Sequence, residues 1–363
     1  MFLRNCWQVA AFSSEVGFGQ PFARTINEEP VVLFRGLSGT LAAAQDRCPH
    51  RQAPLSLGRV FGDTLQCGYH GACFDQTGAC VKVPGQDVIP VRARLRMYPI
   101  VERYGCAWIW MGEAALADAQ LVPEVTWLDD PAWVARTGYH HIKANYQLLN
   151  DNLLDLSHET YVHGKTIGNS AVAGSPSSVQ TVGERVLVSK DMNDCLAPPF
   201  YQYTGRLSPE QRVRRWQYTT YRPPGYLVID VGVEPINPIN PNNATDSTKG
   251  AIRVGGQVIN LITPETATSS HYFWAFARDC RLDESAVTEY LRAAVEQTFD
   301  EDKVMLEGQQ SRLNHPTQPS FEAAFRGDVG PTHGRRLLAR LIEREQSFAA
   351  RATLIAAPSS VGQ

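Results

Sequence analysis

Long apolar runs are missing from this 363-residue sequence. No stretch approaches about 18 uninterrupted apolar residues, so no membrane-spanning helix is expected. An excess of charge of one sign is missing too. The 34 Lys and Arg against 37 Asp and Glu leave a formal charge of −3, which gives no footprint for a polyanion and excludes nucleic acid as an expected partner. The opening residues, Met1-Phe2-Leu3-Arg4-Asn5-Cys6-Trp7, lack the apolar core of a signal peptide. A cytoplasmic location with reduced thiols is therefore expected. No internal repeat is visible. Hydrophobic and charged contents of 43% and 20% are those of an ordinary globular protein, and 363 residues suit two domains better than one core.

Cysteine is present, and two of the eight Cys stand in boxes with His. Cys48-Pro49-His50-Arg51 and Cys67-Gly68-Tyr69-His70-Gly71 read C-x-H, sixteen residues, then C-x-x-H. Each box gives one thiolate and one imidazole. A Rieske [2Fe–2S] centre needs that division, because one iron keeps two Cys ligands and the other takes two His. Two Cys and two His also suit tetrahedral zinc, but zinc modules pair Cys with Cys and His with His. Pro49, Gly68 and Gly71 favour tight loops that bring backbone N–H groups near sulfur. Pro84-Gly85 is placed to form a third loop over the cluster. Cys73 and Cys80 are expected as packing residues of a hairpin rather than a disulfide.

A second constellation runs from Asn150 to Gly164, with His158 and His163 five apart and Asn152, Asp155 and Glu159 around them. It is not the H-E-x-x-H of a zinc protease, which sets two His four apart on one helix face. Five residues turn a helix by about 500°, so the two rings would diverge by about 140° unless the helix ends or bulges between them. Two His and one carboxylate with open positions mark iron(II) sites that activate O₂. The carboxylate is sought in the helical stretch around Asp300-Glu301-Asp302, where spacing alone does not choose among the three acids. Asp151 and Glu159 read as helix-surface charge.

Together C-P-H-R, C-G-Y-H-G, N-x-x-D-x-x-H-x₄-H and the late E-D-K resemble the oxygenase component of Rieske non-haem iron oxygenases, over nearly the whole chain. The group containing vanillate O-demethylase is the most similar, with dicamba O-demethylase and toluenesulfonate methyl-monooxygenase as relatives. The resemblance implies cluster ligands Cys48, His50, Cys67 and His70, and iron(II) ligands His158, His163 and Asp302. It implies that Asp155 bridges an iron-ligand His to a Rieske His of a neighbouring subunit, and that Asn152 lies close to the mononuclear iron. His271 matches a substrate-contacting position by the same resemblance; the competing reading is a strand His satisfied by a neighbouring backbone group.

Residues 1–115 read as an all-β Rieske domain, with short apolar runs between Gly, Pro and Asp punctuation. Trp108 and Trp110 fit one face of a core strand. Residues 116–363 form the expected catalytic domain, an α+β layout of antiparallel sheet and helices, which the resemblance specifies as helix-grip. Helices are expected over Asn145 to Val162, Glu284 to Arg312 and Arg335 to Phe348. Residues 164–178 and 234–250 read as loops, either of which would serve as a substrate lid.

The implied activity is that of a terminal oxygenase using O₂ and electrons from NADH through a separate flavin and iron–sulfur reductase. Its implied substrate is a small methoxylated aromatic acid, losing its methyl group as formaldehyde. N-Demethylation, aryl-methyl hydroxylation and ring hydroxylation are the other chemistries of this class. A Rieske electron carrier without oxygenase chemistry is the alternative of another kind. A homo-oligomer is expected, most often a trimer in this family.

Overall fold

In a computed structural model the backbone is described for residues 1–236, 253–315 and 323–356. Eleven short strands build the N-terminal part. They are β1 (Trp7–Phe12), β2 (Phe22–Ile26), β3 (Glu29–Arg35), β4 (Leu41–Gln45), β5 (Arg59–Phe61), β6 (Thr64–Gln66), β7 (Cys73–Phe74), β8 (Cys80–Lys82), β9 (Met97–Tyr98), β10 (Ile100–Arg103) and β11 (Cys106–Trp110). They form three antiparallel sheets in the orders β1-β11-β10, β2-β3-β4-β9 and β5-β6-β7-β8. Trp108 and Trp110 are buried on β11, as the strand reading expects. All eight cysteines are free, Cys73 and Cys80 included.

The C-terminal part is built on one seven-stranded antiparallel sheet. Its strands are β12 (Val134–Ile142), β13 (Ser178–Val182), β14 (Arg185–Leu196), β15 (Arg212–Arg222), β16 (Tyr226–Pro235), β17 (Val254–Thr266) and β18 (Ser269–Arg278), in the order β12-β18-β17-β16-β15-β14-β13. Among the described residues six α-helices accompany it: α1 (Tyr146–Leu154), α2 (Glu159–Val162), α3 (Ser170–Gly174), α4 (Pro199–Gly205), α5 (Ser285–Leu313) and α6 (Val329–Ala356). Val287, Leu291, Val295, Phe299 and Leu306 recur at helical spacing along α5 and enter the core beside Leu148, Leu149, Leu153 and Leu154 of α1. Each such side chain contributes about 1.5–3 kcal/mol by leaving water. This is the α+β arrangement read from the sequence.

Three expectations change in detail. The helix expected over Asn145 to Val162 breaks at Asp155, whose extended backbone (φ −126°, ψ 94°) ends α1 and starts a short 3₁₀ turn over Leu156–His158. The segment 164–178 is not all loop, because Asn169 caps α3 by accepting from the Ala171 N–H. Glu234 and Pro235 belong to β16, paired with Arg214 and Val213. The rest of the second expected loop, from residue 237, lies outside the described residues.

The two parts share a core. Trp7, Val9 and Trp108 pack with Val228, Ile259, Leu261 and Phe273 of the large sheet. Thr263 donates to the Val9 carbonyl at 2.8 Å, and the Asn27 and Glu28 N–H groups donate to Pro264 and Glu265 carbonyls. The chain start also reaches α6, where Glu345 accepts from the Asn5 N–H at 2.7 Å.

Candidate metal centres and active site

Two loops of the same design carry the Cys/His boxes. The Cys48 N–H donates to Ala53 O and the Gln52 N–H returns to Cys48 O; the Cys67 N–H donates to Ala72 O and the Gly71 N–H returns to Cys67 O. Each five-residue loop is closed at its foot by a Cys and presents a His at its tip. The second loop packs against the 3₁₀ turn that follows the first, Leu55–Leu57, since a Cβ on Gly68 would stand 2.6 Å from the Leu57 carbonyl. The third loop is present too, closed by a Val83–Gln86 bridge, and Pro84 packs where a Cβ on Gly71 would be only 3.0 Å away.

Cys48 and Cys67 are buried, whereas His50 and His70 are exposed with ring centroids 4.6 Å apart. Burial pushes the Cys48 thiol up; N–H groups of His50 and Arg51 aimed at the sulfur oppose it, and the Cys67 thiol adds to the rise. Two thiols facing each other under apolar cover, with two imidazoles side by side at the surface, fit a cluster whose two irons differ in ligands.

The second centre depends on the break at Asp155. The Asp155 carboxylate caps the turn, accepting from the Ser157 N–H and hydroxyl at 3.0 Å each, and its backbone carbonyl accepts from His158 Nδ1 at 2.7 Å. Asp155 therefore orients the His158 ring through its carbonyl rather than through its carboxylate. The chain leaves helical geometry again at His163 (φ −110°). The two rings, which a regular helix would splay apart, lie 5.3 Å apart.

Helix α5 completes the set. Asp302 Oδ1 lies 3.1 Å from His163 Nε2 and 3.4 Å from His158 Nε2. One donor atom from each of the three residues falls within 4.8 Å of the others. Asp302 and His163 are buried. Spacing left three acids open, and the geometry separates them because each helical residue turns by about 100°. Asp300 is exposed and stands 3.6 Å from His140, while Glu301 reaches the other side of the His163 ring, 2.7 Å from Nδ1. Burial pulls the His163 imidazole down, but its bonds to Asp302 and Glu301 outweigh this and raise its proton affinity. Two ring nitrogens converging on one buried carboxylate oxygen fit a divalent cation. Asn152 Nδ2 donates to Asp302 Oδ1 at 3.1 Å and stands 3.4 Å from His158 Nε2, so it lies beside the donor set.

The set opens on a compact cavity of about 70 Å³, walled by Ile229, Val231, Phe276, Val295 and Phe299, with Ile167 from the 164–178 segment. A larger cavity of about 400 Å³ lies where the two parts of the chain meet, but it holds none of the expected ligands. The donor set, not volume, locates the chemistry.

His271 is elsewhere. It is buried at the junction with the N-terminal part, where Nδ1 meets the Tyr139 hydroxyl and Nε2 the Thr25 carbonyl, both at 2.9 Å. Its ring does not line the 70 Å³ cavity. The strand places this side chain on the face of the sheet turned toward β2, where it meets the Thr25 backbone carbonyl, as in the competing reading of a strand His beside a backbone group. Glu159 is a correction. Read as surface charge, it is buried and accepts from Arg215 Nη2 at 2.8 Å and Gln217 Nε2 at 2.7 Å. Asp151 is held by Arg335.

Glu301, Arg215 and Gln217 have roles that the sequence reading missed. Glu301 had a signal in its place one residue before the expected ligand Asp302. Arg215 and Gln217 had only the two-residue alternation of β15, where Val213 and Tyr221 share their face.

Comparison with known proteins agrees with this geometry. Residues 6–99 match the Rieske [2Fe-2S] domain and residues 142–344 the vanillate O-demethylase oxygenase C-terminal domain. The chain is 38% identical to a vanillate O-demethylase oxygenase subunit of Pseudomonas sp. (strain HR199 / DSM 7063), covering 99% of this chain and 100% of that one. It is 37% identical to an iron-sulfur subunit of the toluene-4-sulfonate monooxygenase system of Comamonas testosteroni, covering 95% and 98%. The crystal structure of dicamba monooxygenase bound to 3,6-dichlorosalicylic acid superposes with a TM-score of 0.87 at 31% identity, over 96% of this chain and 99% of that one. The chain belongs to the Rieske non-haem iron oxygenases of the vanillate O-demethylase type, as the oxygenase component of a multicomponent monooxygenase with a [2Fe–2S] cluster and a mononuclear iron.

Proposed function

We propose that this oxygenase hydroxylates the methyl group of a methoxylated aromatic acid. The resulting hemiacetal collapses to formaldehyde and a phenol. The observation that carries this reading is the His158–His163–Asp302 set, with His163 and Asp302 buried and His158 half-buried, opening on a largely apolar cavity, in a chain related over its full length to a vanillate O-demethylase subunit. In the division we adopt, residues 1–115 hold the cluster through Cys48, His50, Cys67 and His70, and residues 116–363 hold the iron.

When bound, the cluster supplies single electrons and the iron the O₂-activating centre. The chain's own residues do the rest. Glu301 and the Asp155 carbonyl fix the tautomers of His163 and His158, so that both Nε2 atoms face the metal. Apolar walls hold the ring and exclude water. An electron carrier that merely docks partners gives no reason for two His and an Asp converging beside such a cavity.

The working unit in this reading is a ring of three copies joined head to tail, a closed heterologous assembly. Support comes from the exposure of His50 and His70, which leaves the cluster imidazoles open to a neighbouring copy. Asp155 would then link His158 of one copy to His70 of the next, and a flavin and iron–sulfur reductase would deliver electrons from NADH. A cytoplasmic location fits these soluble partners, and no helix among the described residues is long and apolar enough to cross a membrane.

The test is a single turnover. Pre-reduced enzyme is mixed with O₂ and a panel of methoxylated benzoic acids including vanillate. Stoichiometric formaldehyde and phenol are expected; hydroxylated product without formaldehyde would move the assignment to aryl-methyl or ring hydroxylation.

A further inference from the structure

The cavity beside the iron ligands is not apolar throughout. Arg215 and Gln217 line it from neighbouring inward positions of β15, and Glu159 lies between them. Arg215 is only 1% exposed and Gln217 2%. The Glu159 carboxylate takes one N–H from each. That leaves Arg215 Nε and Nη1, and Gln217 Oε1, buried without a hydrogen-bond partner among the described residues.

Such an arrangement is costly unless something else completes it. An unmet donor on a charged group loses its hydration and gains nothing in return. A guanidinium whose only role was to hold Glu159 would not need to line the cavity. The Arg215 side chain is itself fixed, by Glu159 on one side and by the Tyr201 ring 5.6 Å from its centre. Lys190, also buried, adds a second cation to this cluster, with its ammonium bonded to the Val172 carbonyl. A fixed, desolvated guanidinium with free N–H groups is a receptor for a planar oxyanion. Gln217 Oε1 adds an acceptor that no carboxylate can satisfy but a ring hydroxyl can. The amide cannot simply turn over, because its nitrogen is committed to Glu159.

We propose that Arg215 receives the anionic group of the substrate. The inference rests on the demethylase reading given above and deepens it: Arg215 is the specificity-determining residue that selects the acid group. The iron ligands and Arg215 line one small cavity, so a ring anchored by its acid group is confined next to the metal.

The test measures binding of two probes, vanillate and its primary amide, to anaerobic reduced holoenzyme by calorimetry. Wild-type enzyme should bind the acid about 30-fold more tightly than the amide, the worth of one charge-assisted hydrogen bond. Arg215→Met should lose that factor for the acid and leave the amide within about threefold, with iron and sulfide content unchanged. Arg215→Lys should keep part of the preference, and it decides the matter if Arg215→Met fails to fold. Equal weakening of both probes in Arg215→Lys, or no preference for the acid in the wild type, would overturn the proposal and reduce Arg215 to a structural partner of Glu159. Formaldehyde from a neutral methyl ether, with no acid preference, would sink the anion site and leave the demethylase. Arg215-dependent binding of the acid without formaldehyde would do the reverse.

Discussion

Glu301 and Asp302 hold the same imidazole from opposite sides. Glu301 Oε2 lies 2.7 Å from Nδ1 of His163, and Asp302 Oδ1 lies 3.1 Å from its Nε2. Adjacent residues on α5 thus divide two tasks. Asp302 faces the point where the donor atoms converge, and Glu301 favours the tautomer that lets Nε2 do the same. Gln297, one turn earlier, donates to Glu301 Oε1 at 3.1 Å and keeps the carboxylate in place.

Replacing Glu301 should therefore weaken iron binding without touching the cluster. Glu301→Gln is expected to lower mononuclear iron affinity about 10- to 100-fold, the usual cost of losing a carboxylate behind a ligating His. Iron titration of the apo site, with cluster absorbance as internal control, measures it. Unchanged affinity would mean that Glu301 is only a surface carboxylate near His163.

Asp155 makes its bond to His158 through its backbone carbonyl, so its side chain can be altered while the ring stays oriented. Asp155→Asn keeps an oxygen to cap Ser157. Both metals should remain bound, while product formation per reducing equivalent falls about 10- to 100-fold. Normal turnover in this variant would refute a relay through Asp155.

Gly68 has no room for a side chain. A Cβ there would meet the carbonyl of Leu57, in the turn that follows the first loop, at 2.6 Å, and Gly68 cannot retreat without moving its neighbour Cys67. Gly68→Ala should purify with little or no red-brown colour and with low sulfide. Retention of a full cluster would show that the two loops tolerate separation.

The junction between the two parts should be pH-sensitive through His271. Burial pulls its imidazole from 6.5 down to about 4, with the Thr25 carbonyl, Arg24, Glu265 and His141 as lesser influences. Tyr139 also faces it, with its hydroxyl bonded to Nδ1. Below pH 6.5 the unfolded chain takes up a proton that the folded chain refuses. The His271 contribution is therefore full above that pH and is lost as pH falls toward about 4. The loss is on the order of 3 kcal/mol. Melting temperatures of wild type and His271→Gln, compared at pH 7 and pH 5, check it: the wild type should lose more on acidification. Equal losses would exclude His271 as the source.

Much of the site was legible because metal chemistry demands particular residues at particular spacings. The two boxes drew attention to Cys48, His50, Cys67 and His70, which the fold brings together as two buried thiols and two exposed imidazoles, and a shared metal at His158 and His163, five residues apart, already required a broken helix. The location of the break was not legible. It lies at Asp155, a residue whose side chain caps the next turn, and a hydrophobic pattern running from Leu148 to Val162 passes over it. Arg215, Gln217 and Glu159 were illegible for a different reason. A polar residue on a strand or a charge on a helix reads as solvent-facing, and only the tertiary fold turns these three toward one cavity. His271 shows the converse: a position carried over by resemblance lies in this chain against a backbone carbonyl of the other part.

The central claim is that one chain holds both a cluster and a separate iron(II) that performs the oxygenation. Iron and sulfide analysis of wild type and Asp302→Ala under anaerobic conditions, each followed by a single turnover with vanillate and O₂, tests it most directly. Wild-type chains should hold about three irons and two sulfides each and form formaldehyde, whereas the variant should hold about two irons with the cluster spectrum intact and form none. Three irons retained in Asp302→Ala, or only two in fully reconstituted wild type, would contradict it.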